Sequence, residues 1–201
     1  MSKYNLNTGD ILLFDYEGGG SMGIFSWLIK KATKSNITHV GMVLKDPVFI
    51  NPSLKGYYVW ESGWEGTPDP QDGKVKFGVQ ITPFEEIFQN YKKKNGKIYV
   101  RRVTCPINLF TTEKLLQIHE IVYDKIYDII PTDWIEAAFR RDDNPQKTSR
   151  FWCSALVGYI YTQCGCLHPG TDWSIIRPSD FVEDYLQYIN DIELSELTEL
   201  N

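Results

Sequence analysis

Residues 38–46, THVGMVLKD, alternate and are rich in β-branched side chains, and residues 57–63, YYVWESG, do likewise. Residues 74–83, KVKFGVQITP, end in a proline suited to a strand exit. Together the three segments predict an antiparallel meander. GDILLF at 9–14 begins with a Gly-Asp turn and continues apolar, as a buried strand does, and KIYVRRV at 97–103 reads as another strand. Repeated strand-helix-strand alternation is missing, which disfavours a doubly wound sheet and predicts an α+β fold.

Helical signals dominate the second half. TPFEEIFQNYKK predicts a helix with Thr82 as cap, Pro83 at its first position and Glu85 at its third. Thr111 or Thr112 can cap EKLLQIHEIVYDKI, in which Leu115, Ile118, Ile121 and Val122 form an apolar stripe. FWCSALVGYIYTQCG predicts a helix beginning near Cys153 and ended by Gly165. Shorter helices are expected over 24–34 with Ser21 as cap, within 131–150, and in PSDFVEDYLQYI, with Pro178 and Ser179 at its start. The acidic C-terminal tail is expected to be weakly structured. With 201 residues, no repeats and no convincing linker, a single domain over 1–201 is expected.

Hydrophobic residues at 42% and charged residues at 23% predict an ordered globular chain, and 28 aromatic residues (6 Trp, 12 Tyr, 10 Phe) can supply both core and cleft walls. A net charge of -5 gives no electrostatic case for a nucleic-acid partner; the run Lys92 to Lys94 reads as a solvated turn. The opening MSKYNLNTGDILLF lacks the pattern of a signal peptide, and no apolar run reaches about 18 residues. No transmembrane segment is expected, and the expected setting is cytoplasmic or otherwise intracellular, where thiols stay reduced. Cys105, Cys153, Cys164 and Cys166 are therefore expected to be free. Their spacing matches no standard zinc pattern, because CGC brings only two thiolates together and His168 would need a further ligand from elsewhere. Neither a metal nor a cofactor is expected.

A cysteine at a helix N-terminus faces unpaired amides and the positive end of the helix, both of which favour thiolate. Cys153 has that position, yet FWCSALV is also apolar enough to bury it as a small hydrophobe, and the local sequence leaves both readings open. A nucleophilic cysteine gains most from an imidazole that a third polar group orients. Among the three histidines, His119 sits beside an apolar stripe and reads as a surface or boundary residue, while His168 lies in a Pro/Gly loop and reads as exposed. His39 opens an apolar strand, where one face could look into a cleft while Val40 and Met42 point the other way. Glu61 occupies the matching end of the next strand, and antiparallel pairing could bring its carboxylate against the imidazole.

Gly9 and Asp10 of GDILLF, His39 and Gly41 of THVGMVL, Glu61 of VWESG and Cys153 of FWCSALV together resemble the circularly permuted NlpC/P60 superfamily of papain-like thiol hydrolases. The likeness is closest to the YiiX-like branch, which has poxviral members. It spans residues 9 to about 165 and rests on short motifs separated by variable segments. The resemblance implies a papain-like antiparallel sheet packed against helices, with His39 as base, Glu61 as its orienter and Cys153 as nucleophile. Tyr127 and Asp128 resemble the YD pair that often precedes this cysteine, and are candidate accessory or substrate-binding residues. Ala155 stands where that motif more commonly has glutamate, which removes a polar side chain but no triad member.

Such a triad performs acyl transfer through an acyl-enzyme, with the Cys153 amide as one oxyanion donor and Tyr127 a candidate second. The resemblance leaves peptide, isopeptide and lipid acyl substrates open, with amide or peptide hydrolysis the favoured reaction. A lipid-directed acyltransferase or lipase is the alternative within the family. A catalytically silent binding or virion-associated protein is the alternative outside it. A redox role for Cys164 and Cys166 is disfavoured, since CGC is not CxxC and its one-residue gap would strain a disulfide.

Overall fold

The computed structural model describes residues 4–15, 35–128, 148–183 and 185–201. The helix expected over 24–34, its cap Ser21, and residues 131–147 of the stretch expected to hold a short helix lie outside the described residues.

The architecture is mixed α+β. Strand β1 (Ile11–Asp15) pairs antiparallel with β2 (His39–Lys45), β2 with β3 (Tyr57–Gly63), and β3 with β4 (Gly78–Pro83). β5 (Lys97–Arg101) lies on the far side of β1, and β6 (Val103–Thr104) pairs with β9 (Glu193–Leu194) in a separate small ladder. With β7 (Ile126–Tyr127), β8 (Arg150–Phe151) and β10 (Thr198–Glu199), the main sheet has, among the described residues, eight strands in the order β10-β5-β1-β2-β3-β4-β7-β8. Among the described residues, only β7 and β8 run parallel.

Strand alternation sends side chains to two faces, and each face is covered by helices. Ile11, Leu13, Val40, Met42, Trp60 and Ile81 join a core built with α2 (Thr112–Val122) and α3 (Cys153–Cys164). Leu12, Phe14, Val43 and Val59 join a second core with Phe84, Ile87 and Phe88 of α1 (Phe84–Lys93). α3 is apolar around nearly its whole circumference, as suits a helix enclosed by the fold. Gly158 admits its neighbours closely: a Cβ there would stand 2.6 Å from Ile176 Cδ1. The Gly9-Asp10 turn is held from three sides. Asp10 accepts the amides of Asn7 (2.8 Å) and Val103 (3.0 Å), and the Tyr161 hydroxyl donates to the Gly9 carbonyl.

Several elements depart from expectation. Thr82 continues the ladder opposite Val59 instead of capping a helix, so α1 starts one turn-residue later, after Pro83, with no side-chain cap. Thr111 caps α2 and Gly165 ends α3 in the left-handed conformation, as the sequence predicts. Ile121, the outermost member of the α2 stripe, is exposed. Pro178–Phe181 form a 3-10 turn. The C-terminal tail, expected to be weakly structured, contributes β9 and β10. Buried Arg101 donates to the carbonyls of Ser195 (2.9 Å) and Phe181 (3.1 Å), which fastens the tail to the sheet.

The outer side of β4 meets β7 only at Gly78. Beyond that point the Val79 amide donates to Lys125 O (2.8 Å), the Ile81 amide donates to Asp69 Oδ2 (3.2 Å), and Pro83 has no amide hydrogen. Among the described residues, no helix is long and apolar enough to cross a membrane.

Candidate active site

His39 opens β2, and Glu61 lies in the adjacent strand β3. Between them sits Gly41. A Cβ at Gly41 would stand 2.4 Å from Val59 Cγ1 and 3.4 Å from Glu61 Cβ, so hydrogen at this position lets the β3 side chains lean across β2. Glu61 is wholly buried, and its Oε2 lies 2.7 Å from His39 Nε2. Its other oxygen, Oε1, is buried with no hydrogen-bond partner among the described residues. Gly63 borders the ring, with a hypothetical Cβ 3.2 Å from His39 Cε1.

α3 starts at Cys153. Among the described residues, the preceding Trp152 supplies no side-chain cap to the first amides of the helix, which also have no intrahelical acceptor. The segment is anchored on both flanks: Ser62 donates to Phe151 O (2.6 Å), and Ser154 donates to Ile176 O (2.6 Å). These bonds fix the backbone around the buried Cys153, which acts on the His39 ring. Burial pulls the His39 pKa down, but the charge and hydrogen bond of Cys153, then those of Glu61, outweigh it and hold the imidazole well above its ordinary value. With Nε2 engaged by Glu61, Nδ1 is the ring nitrogen left to exchange a proton with sulfur. The three residues singled out from the sequence are thus brought together in one contiguous cluster.

Tyr127 closes β7 near the sulfur. Burial first, then the charges of Cys153 and Asp128, push its phenol well above the usual range, which keeps it an O–H donor at neutral pH. Asp128 braces the strand before the cysteine, its amide donating to Phe151 O (3.3 Å) and its carboxylate lying 4.0 Å from Arg150 Nε. Tyr127 stacks on Phe77 at 5.0 Å, and Phe77 meets Trp64 at 6.4 Å. Trp64, Phe77 and Ile126 are all substantially exposed, giving an apolar wall that leads to Tyr127.

Sequence reasoning missed Glu65. This half-buried residue follows β3, and its carboxylate, the His39 ring and the Glu61 carboxylate offer donor atoms that all lie within 4.8 Å of one another. Burial, then the charge of Glu61, push Glu65 up to about 8 against the opposing pull of His39 and Lys94. The only hint in the sequence is a second glutamate in VWESGWEG, and a residue just past a strand end carries no periodicity that fixes its direction. One imidazole nitrogen and two carboxylates make a donor set able to hold a divalent cation.

The remaining candidates fall elsewhere. His119 is partly buried against Gln71 Oε1 (2.5 Å), and burial lowers its pKa; His168 is exposed. All four cysteines are free, and burial pushes Cys164 up to about 12 and Cys166 higher still.

No protein-family model matches the sequence, and no curated protein matches it. The fold, however, has a solved counterpart. It is similar to metalloprotein yiiX from Escherichia coli O157:H7, with a TM-score of 0.50 and 23% identity, over 80% of this chain and 67% of that one.

Proposed function

We propose that the protein is a thiol hydrolase of the permuted NlpC/P60 type that cleaves an amide or peptide bond through a Cys153-His39-Glu61 triad. The observation that carries this reading is His39 bound to the wholly buried Glu61 carboxylate at 2.7 Å, with a buried cysteine that acts on the same ring beginning α3. The likeness to yiiX in fold supports the same reading.

In the first step the Cys153 sulfur bonds to the carbonyl carbon and its proton is held by His39. Collapse of the tetrahedral intermediate breaks the C–N bond, and His39 gives that proton to the departing amine. Water then attacks the thioester, His39 takes its proton, the C–S bond breaks and the proton returns to sulfur. Glu61 holds the imidazole in the productive tautomer. The Cys153 amide and the Tyr127 hydroxyl are the donors for the oxyanion.

The test is a panel of peptidoglycan fragments, isopeptides, fatty amides and phospholipid esters, followed by mass spectrometry for product and for a Cys153 adduct. Turnover is expected to fall by about 10³-fold or more in Cys153→Ala and His39→Ala, and less in Glu61→Gln. The exposed wall of Trp64, Phe77 and Ile126 favours a second reading, a lipid-directed acyltransferase, which transfer of a fatty acyl chain to Cys153 would establish. A partner bound equally by wild type and Cys153→Ala, with no acylation by any substrate, would replace both with a binding module.

A further inference from the structure

We propose that His39, Glu61 and Glu65 form a divalent-cation site, and that its occupancy blocks the Cys153 thiol chemistry. The effect on the thiol rests on the hydrolase reading; the site itself does not. Two carboxylates and an imidazole converge with donor atoms within 4.8 Å of one another. Independently, Glu61 Oε1 is buried without a hydrogen-bond partner among the described residues, although the carboxylate it belongs to sits in this cluster. A buried carboxylate oxygen left unpaired is costly, and placing a second carboxylate beside it adds repulsion, which a bound cation relieves.

The donors come from three places: β2, β3 and the segment just after β3. Glu65, carried outside a strand and half-exposed, is the arm that adjusts onto an ion held at coordination distances of about 2.0–2.2 Å. Mixed nitrogen and carboxylate donors suit Zn²⁺ and other first-row divalent ions, and three protein ligands leave a position open to water. On binding, His39 Nε2 gives its lone pair to the ion and the neutral ring carries its single proton on Nδ1. The Nε2 proton of the other tautomer is released to solvent while Nδ1 takes one up, and an imidazolium simply loses its Nε2 proton to solvent. Neither nitrogen then has a lone pair to accept the Cys153 proton, so nucleophilic attack cannot begin.

Chelator-treated protein titrated with Zn²⁺ by calorimetry tests the site, using wild type, Glu65→Gln, Glu65→Asp, Cys153→Ala and His168→Ala. One ion per chain is expected, retained in Cys153→Ala and in His168→Ala, which lacks an exposed surface imidazole. Affinity is expected to fall at least about tenfold in Glu65→Gln and less in Glu65→Asp, which keeps the charge. In parallel, Zn²⁺ should slow iodoacetamide labelling of Cys153 at least about tenfold in wild type, with the with-and-without-ion ratio shrinking in Glu65→Gln. Absent stoichiometric binding, binding indifferent to Glu65→Gln, or binding lost in Cys153→Ala would each overturn the site, the last by placing the ion on the thiol. Zn²⁺ bound as expected to a protein whose Cys153 no substrate acylates would retire the hydrolase reading and leave the site standing. Acylation with no ion bound would do the reverse.

Discussion

Gly41→Ala adds one methyl group between β2 and β3 beside the candidate triad. The new Cβ would be 2.4 Å from Val59 Cγ1, whereas ordinary contact begins near 3.4 Å, so one of the two strands must yield by about an ångström. Val59 is completely buried in the core shared with α1, where close packing leaves little room to retreat, so the strain passes to β3. Overpacking of this kind costs about 1–3 kcal/mol, which for a chain of this size lowers Tm by about 2–4 °C per kcal/mol. Because Glu61 lies two residues from Val59 on the moving strand, the same shift loosens its 2.7 Å contact with His39. Misplacement on that scale reduces catalysis by about 10²-fold. Urea melts, Cys153 labelling rates and turnover should therefore all fall together. A Gly41→Ala protein with wild-type stability and wild-type labelling would refute the close approach of the two strands, and with it the account of how Glu61 is placed.

Three further outcomes follow from the same geometry. Tyr127→Phe, which removes one hydroxyl and keeps the stacking on Phe77, should lower turnover by about 10²–10³-fold while Cys153 still alkylates; unchanged turnover excludes the phenol as an oxyanion donor. Cys153 should label with iodoacetamide at neutral pH far faster than Cys164, whose thiol burial holds at about 12, and equal slow labelling of both would return Cys153 to a packing role. Asp72 is raised by burial but lowered more by the Lys74 amide, the Tyr123 hydroxyl (2.7 Å) and Lys76 (3.1 Å), and its folded pKa lies below the usual carboxylate value. Its contribution is therefore present above about pH 3.9 and lost as pH falls through the folded pKa, so Asp72→Asn should be less stable than wild type at neutral pH, with the gap closing in acid. A gap that widens in acid would contradict that sign.

The meander was legible because alternation in THVGMVLKD and YYVWESG reports one side chain per face, a local signal that survives burial. The meeting of His39, Glu61 and Cys153 was legible only jointly: strand ends placed the first two, while the third needed the family resemblance to bring a helix 92 positions beyond Glu61 to the same spot. Thr82 misled because a capping signature competes with a ladder already paying out hydrogen bonds to β3, and the ladder wins. The tail was misread for a different reason. β9 and β10 are two residues each, too short to show a period, and they are held by Arg101 from far upstream. Glu65 was invisible on the same grounds, since its placement depends on how the chain turns after β3.

The outer margin of β4 bears on how copies of this chain coexist. An apolar strand with free outward amides is a template on which another chain can stack. Here the three outward positions are disarmed by three different means: a main-chain carbonyl takes Val79, the Asp69 carboxylate takes Ile81, and proline removes the donor at position 83. Asp69 also binds Lys76 (2.9 Å), so a single buried charge both balances an ammonium and seals the middle of the margin. Where β4 runs beyond its short pairing with β7, its outward amides are thereby kept from recruiting a stranger, in the middle by a loop carboxylate that takes no part in the chemistry.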